Sequence, residues 1–248
     1  MQFVFLALLA ASSAFAAEAV HNRLSAEEKA QGWTLLFDGE TGRGWEGLRG
    51  TPFPERSWAI EDGALRTRKD RGGVDLITTS AYEDFELRFD WKLSAKGNSG
   101  VKYMVQRDWT TPGYSPDQSE EWKARARLRA TGLEYQLLDD AKTSGRPGSE
   151  LSSCGSLYLL KAPENKRLTP PGEWNQARIV IRGNHGEHWL NGVKLLEYEL
   201  GSPNLLEQVD RTKFRRVPGF GIKGPGYIAL TYHGSPAWYR NIKLRKLK

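Results

Sequence analysis

The chain of 248 residues holds one cysteine, Cys154. A lone cysteine excludes an intrachain disulfide and any cysteine-built metal cluster. Beside Gly155 it reads as a small buried hydrophobe rather than a nucleophile. No apolar run reaches the roughly 18 residues of a membrane span, and the mean hydropathy is −0.59. GxGxxG, P-loop, HExxH and GxSxG patterns are all missing, which removes the usual signatures of dinucleotide, nucleoside triphosphate, zincin and α/β-hydrolase chemistry. Charge of one sign is scarce as well. Thirty-six Lys and Arg are interspersed with 30 Asp and Glu, for a net +6, too even a mixture for a nucleic-acid-binding surface. The 26 Gly and 12 Pro show no collagen period, and neither an internal repeat nor a low-complexity linker divides the chain. Only four histidines are present. His185 and His188 stand three apart, but on a turn and strand rather than a helix, which is a poor metal-ligand geometry.

Residues Met1 to Ala16 carry no charged side chain. Phe3 to Ala11 form an apolar stretch, and Ala14-Phe15-Ala16 has the small-x-small form read by signal peptidase. An export signal over residues 1–16 is expected, followed by a single domain over 17–248. No cysteine follows the apolar stretch, so a lipid anchor is not expected.

What is present is aromatic side chains (nine each of Trp, Tyr and Phe) and period-2 alternation. From Asp84 to Leu93, Phe85, Leu87, Phe89, Trp91 and Leu93 alternate with polar residues, so one face is core and the other is wet. Val101, Tyr103 and Val105 repeat the pattern, and Lys96-Gly97-Asn98 between them predicts that the two strands pair as a hairpin. Asp62-Gly63 and Asn191-Gly192 predict two more hairpins with type I′ turns. Further strands are expected over Thr34–Phe37, Leu76–Thr78, Leu133–Leu138, Leu157–Leu160, Gln176–Ile181, Tyr227–Tyr232 and Ala237–Leu244. Short helices are expected over Ser25–Gln31, where Ser25 and Glu28 have capping-box spacing, and over Asp117–Arg129. About a dozen short strands with few helices predict an all-β fold of two packed antiparallel sheets.

Four segments gather polar chemistry. In Leu133–Leu138, Glu134 and Gln136 share a face opposite Tyr135 and Leu137, and Asp139-Asp140 ends the strand as turn residues or as a carboxylate facing a site. In Asn98–Tyr103, Gly100 permits close approach, and Lys102 is placed to polarise a carbonyl or to pair with Glu134. In Glu187–Gly192, His188 shares a face with Leu190 and is a candidate acid–base group. In Tyr232–Pro236, His233 ends a strand at a loop. Arg240 on the last strand either binds substrate or forms an internal pair. Aromatics with polar residues on a sheet face are the equipment of a sugar-handling site.

Together these segments resemble a family. Gly32-Trp33-Thr34-Leu35-Leu36-Phe37-Asp38-Gly39 with Gly44-Trp45, Asn98–Tyr103, Gly132–Asp140, Ser156-Leu157-Tyr158, Gly172-Glu173-Trp174-Asn175, Glu187–Gly192, and Tyr232-His233-Gly234 with Arg240-Asn241-Ile242 follow in the order of the 3-keto-disaccharide hydrolases. Members are also described as 3-keto-glucoside 1,2-lyases and 3-keto-2-hydroxy-glucal hydratases. The resemblance spans about Ala30 to Leu247. It departs from the usual pattern at Thr231-Tyr232 and Leu159, and Arg107–Arg129 matches nothing in it.

The resemblance implies a concanavalin A-like (lectin/glucanase) jelly roll, export to the periplasm or cell surface, and action on 3-keto glycosides made by an upstream glycoside 3-oxidoreductase. A ketone at C3 acidifies the C2 hydrogen, so cleavage needs a base, a group to hold enolate charge and an acid for the departing oxygen. Glu134 or His188 is the expected base and Lys102 or a bound divalent ion the enolate stabiliser, with Asp139 and His233 assisting. Asn98, Gln136, Asp139, Tyr158 and Arg240 are expected to bind substrate. The competing reading is a non-catalytic carbohydrate-binding domain of the same fold. It is discriminated by whether Glu, Lys and His converge in one hollow.

Overall fold

The alternation at Phe85–Leu93 (β6) becomes the longest inner wall of a β-sandwich. Its five apolar side chains are buried, whereas Glu86, Arg88, Asp90 and Lys92 point outward. The computed structural model describes residues 21–48, 50–69, 73–109, 119, 129–142, 146 and 148–248. The expected export signal and all of the helix expected over Asp117–Arg129 except Ser119 and Arg129 lie outside the described residues. No described helix is long and apolar enough to cross a membrane.

Two antiparallel sheets pack face to face. The eight-stranded sheet runs in the order β11 (Val193–Glu199), β10 (His185–Leu190), β9 (Asn175–Arg182), β6, β13 (Ala237–Lys246), β4 (Ala64–Thr67), β3 (Trp58–Glu61), with β1 (Trp33–Leu35) also paired to β13. The five-stranded sheet runs β2 (Trp45–Gly47), β5 (Leu76–Tyr82), β12 (Gly226–Leu230), β7 (Asn98–Val105), β8 (Leu133–Leu138). This is the jelly-roll sandwich that the strand count predicts. The inner faces meet in one aromatic core. Phe85 of one sheet packs edge-on against Tyr103 of the other at 6.3 Å, and Phe89 against Tyr135 at 6.0 Å, geometries that exploit the ring quadrupole.

Two of the three expected hairpins form. Asp62 and Gly63 (φ 50° and 69°) join β3 to β4, and Asn191 and Gly192 (φ 47° and 82°) join β10 to β11. Both residues of each turn take the left-handed conformation that a type I′ turn requires. The third does not form. β6 pairs with β9 and β13, while β7 pairs with β8 and β12 in the other sheet. Lys96 (φ 57°) and Gly97 turn the chain from one layer to the other. Two strands with wholly apolar inner faces can bury them against each other across the sandwich as well as side by side in one sheet, and local turn chemistry does not distinguish these outcomes.

The Leu157–Leu160 strand reduces to isolated bridges at Leu157, with Leu159 at φ 64°. A helix the strand-rich pattern hides, α2 (Pro203–Asp210), follows the capping helix α1 (Ala26–Ala30) late in the chain. Ser202 caps it and Pro203 occupies its first turn, a start signal legible in the sequence. A 3-10 turn at Lys213–Arg216 follows it.

Candidate active site

β7 and β8 are neighbours, and their register sets Lys102 opposite Glu134 and Gly100 opposite Gln136. Because Val101, Tyr103, Tyr135 and Leu137 are buried in the core, alternation turns Lys102, Glu134 and Gln136 to the outer face of the five-stranded sheet. β8 ends the sheet, yet all six of its residues are buried. The covering segment is 155–158: Gly155 N donates to Gln136 O at 2.8 Å and Tyr158 N to Glu134 O at 3.0 Å. Although it ends the sheet, β8 therefore has no solvated face.

The result is a hollow of about 180 Å³ into which Asn98, Lys102, Glu134, Gln136, Tyr158 and His233 all converge. This is below the roughly 300–1,000 Å³ of ordinary small-molecule sites, so it encloses little more than one ring. The Glu134 carboxylate lies 3.8 Å from Lys102 Nζ, and Lys102 also donates to Ala130 O at 2.8 Å. Burial pushes the Glu134 carboxyl above its ordinary value, and the Lys102 ammonium only partly offsets this. A Cβ on Gly100 would stand 2.1 Å from Glu134 Oε1. The glycine is what lets the carboxylate lie across β7. Asn98 Oδ1 is buried with no protein hydrogen-bond partner among the described residues, an acceptor available to a ligand hydroxyl.

Sequence reasoning missed the opposite wall. Asp75, fully buried, accepts from Ala130 N (2.8 Å), Tyr232 N (2.9 Å) and Arg129 Nη1 (3.0 Å), so its carboxylate ties together two segments that rim the hollow, Arg129-Ala130 and the one that begins at Tyr232. Lys213 and Phe214 of the 3-10 turn roof it. Burial and the nearby Lys102 charge hold the Lys213 ammonium below its usual range. Thr212-Lys213 carries a weak local signal, since Thr212 caps the turn; nothing local ties it to Glu134.

Three expected site residues lie elsewhere. His188 is wholly buried between the sheets. Its Nδ1 faces Gly155 O at 3.0 Å and its Nε2 the Tyr103 hydroxyl at 2.8 Å. A carbonyl only accepts, so Nδ1 carries the proton and Tyr103 donates to Nε2. Burial drives the imidazole pKa down to about 4. It is a neutral core group on the far side of β8 from the hollow. Asp139 is a turn residue, accepting from Lys96 N (2.7 Å) and Ala141 N (3.2 Å). Arg240 sits on the outer face of the other sheet, 3.5 Å from Asp90 and 3.9 Å over the Trp174 ring, which is the internal-pair alternative.

Among the described residues, the one group of three metal-binding side chains with converging atoms is His185, Glu187 and Glu197. It lies on β10 and β11, in the sheet that does not carry the hollow. His185 Nδ1 is engaged by Glu199 at 2.6 Å, and Lys194 pairs with both Glu187 and Glu197. The described residues of the hollow form no comparable donor set.

The profile of the 3-keto-alpha-glucoside-1,2-lyase-like domain matches residues 32–245. A 3-keto-disaccharide hydrolase from Bacteroides thetaiotaomicron is 30% identical over 240 residues, which cover 88% of this chain and 79% of that protein. Among solved structures, a candidate glycosyl hydrolase from Parabacteroides distasonis superposes with a TM-score of 0.74 at 33% identity, over 92% of this chain and 100% of the other. A second from the same organism gives 0.56 at 25% identity, over 82% and 99%.

Proposed function

The chain belongs to the 3-keto-alpha-glucoside-1,2-lyase-like family, and from that premise we propose that it cleaves the glycosidic bond of 3-keto-glycosides, 3-keto-disaccharides among them. One observation carries this reading beyond the family: a buried carboxylate, Glu134, held 3.8 Å from an ammonium, Lys102, in a hollow that also receives His233. A carboxyl raised by burial is a stronger base once ionised, and an adjacent fixed cation is what a forming enolate needs. An open aromatic platform would favour the non-catalytic binding domain; the clustered acid, base and cation favour the enzyme.

In the proposed reaction Glu134 takes the proton from C2 and the electron pair passes to the C3 oxygen as an enolate, held by Lys102. The enolate collapses to a C1–C2 double bond, restoring the ketone and expelling the C1 oxygen with its sugar or other aglycone. His233, at the exposed mouth, protonates that oxygen. Water then adds at C1 and a proton returns to C2, for net hydrolysis. Asn98 and Gln136 bind hydroxyls and Tyr158 covers a ring face. His188, Asp139 and Arg240 take no direct part. The same reading includes export through residues 1–16 to the periplasm or cell surface, and supply of the ketone by an oxidoreductase acting on the parent glycoside. A mature N-terminus at Ala17, read by mass spectrometry of protein from the periplasm, is the expected mark of export.

The decisive assay incubates the protein with a 3-keto-glucoside, with and without chelator, and follows the 2-hydroxy-glucal and 3-ketoglucose. Release of either supports the proposal. No cleavage would overturn it, and loss of activity in chelator would transfer the enolate-holding role from Lys102 to a metal ion.

A further inference from the structure

A larger cavity, about 340 Å³, opens on the outer face of the eight-stranded sheet, away from the Glu134 hollow. Its floor is an unusual charge row. Arg178 of β9, Arg88 of β6 and Lys243 of β13 are directly opposite one another across three adjacent strands. Like charges in cross-strand register repel. Lys243 is answered by Glu28, and Asp90, which also lines the cavity, is engaged by Asn241 and Arg240. The part of the row still short of an anion is therefore the Arg88–Arg178 pair. The protein supplies one carboxylate for three guanidiniums. Glu86, 1% exposed, lies 2.8 Å from Arg88, 2.7 Å from Arg178 and 2.6 Å from Arg245. Burial raises the Glu86 carboxyl, and hydrogen bonds from Arg88 and Arg245 outweigh that and hold it below its usual value. Glu86 therefore remains a single negative charge against three positive ones.

The match is also geometrically incomplete. Arg178 Nε is buried and close to Glu86 yet not aligned to donate to it. Trp189, cross-strand from Arg178 on β10, forms an apolar wall of the cavity, and the Gln176 amide stands at its exposed rim. Apolar ring, amide and paired guanidiniums are the groups that hold a sugar bearing a planar acid.

We propose that this cleft is a second binding site, for a carboxylate-bearing saccharide whose acid is held between Arg178 and Arg88, with Lys243 beside it and the sugar ring against Trp189. The site does not depend on the catalytic reading, because none of its residues lines the Glu134 hollow.

The test is calorimetric titration of the full chain with tri-galacturonate, maltotriose and inorganic sulfate. Tri-galacturonate is expected to bind, more weakly as salt rises, and maltotriose not to bind. Arg178→Gln and Lys243→Gln are each expected to weaken binding about tenfold, the usual scale for losing one charge-assisted contact. Glu134→Gln should bind as the parent does, which separates this site from the catalytic one. Shifts of the Trp189 indole and Arg178 Nε–H resonances in the parent locate the ligand without any variant. No binding of tri-galacturonate, equal binding of maltotriose, sulfate binding as tightly as the acidic sugar, or resonance shifts confined to the Glu134 hollow would each overturn the proposal.

Discussion

Replacing Glu134 by Gln keeps the shape of the side chain and removes its ability to take a proton. General-base catalysis contributes roughly 10²–10⁴ in rate, so kcat on a 3-keto-glucoside should fall about 10³-fold, equivalent to about 4 kcal/mol of barrier, with KM little changed. The fold should not suffer. Lys102 keeps its bond to Ala130 O, and the burial cost of the Glu134 charge, which outweighs the attraction of Lys102, disappears. The pH dependence carries a defined sign. Burial raises the Glu134 carboxyl, so whatever stability its protonated form adds is present at low pH and is lost as pH rises through the folded-state value. At pH 7 the Gln variant should therefore unfold at the same temperature as the parent or higher. In the parent, kcat/KM should fall on the acid side at a pH above the ordinary Glu value of 4.5, and the residual activity of the variant should lack that limb. Steady-state kinetics with a 3-keto-glucoside across pH, with thermal unfolding on the same samples, checks both. A variant rate within threefold of the parent, in a folded protein, would refute Glu134 as the base.

Gly100→Ala puts a methyl group 2.1 Å from Glu134 Oε1, inside van der Waals contact. The carboxylate must move, and activity should drop at least about tenfold for a stability cost of roughly 1–3 kcal/mol; an active Ala variant would show that the position of Glu134 does not matter. His188 should matter for stability and not for chemistry. Its pKa is lowered from 6.5 to about 4 in the fold, so the stability of burying it neutral is complete above pH 6.5 and declines by about 3 kcal/mol as pH falls to 4. Urea unfolding across that range should show the decline in the parent and not in His188→Leu. That variant should also lose about 1–3 kcal/mol at pH 7, because the buried Gly155 carbonyl loses its donor, while the Tyr103 hydroxyl keeps its bond to Tyr198. Lost activity in a stable His188→Leu would return the imidazole to the mechanism.

Much of the architecture is written locally. Strand periods, the Asp62-Gly63 and Asn191-Gly192 turns and the capping box at Ser25 depend on contacts within a few residues, so short windows of sequence determine them. Half of the hollow is equally legible. Alternation alone puts Glu134 and Gln136 on one face of β8 and Lys102 opposite Val101 and Tyr103 on β7. The family motifs are read from the same windows.

Alternation, however, divides a strand into two faces without saying which is core when both carry polar groups. Thus the sequence presents His188 and Arg240 as site candidates, and only packing assigns one to the interior and the other to the opposite sheet, paired with Asp90. The crossing from β6 to β7 between layers, the delivery of Asp75 and Lys213 to the rim of the hollow, and the row of Arg178, Arg88 and Lys243 are all products of strand order. Strand order is fixed by which large apolar faces bury each other across the sandwich, a sum over the whole core that no local stretch of the chain encodes.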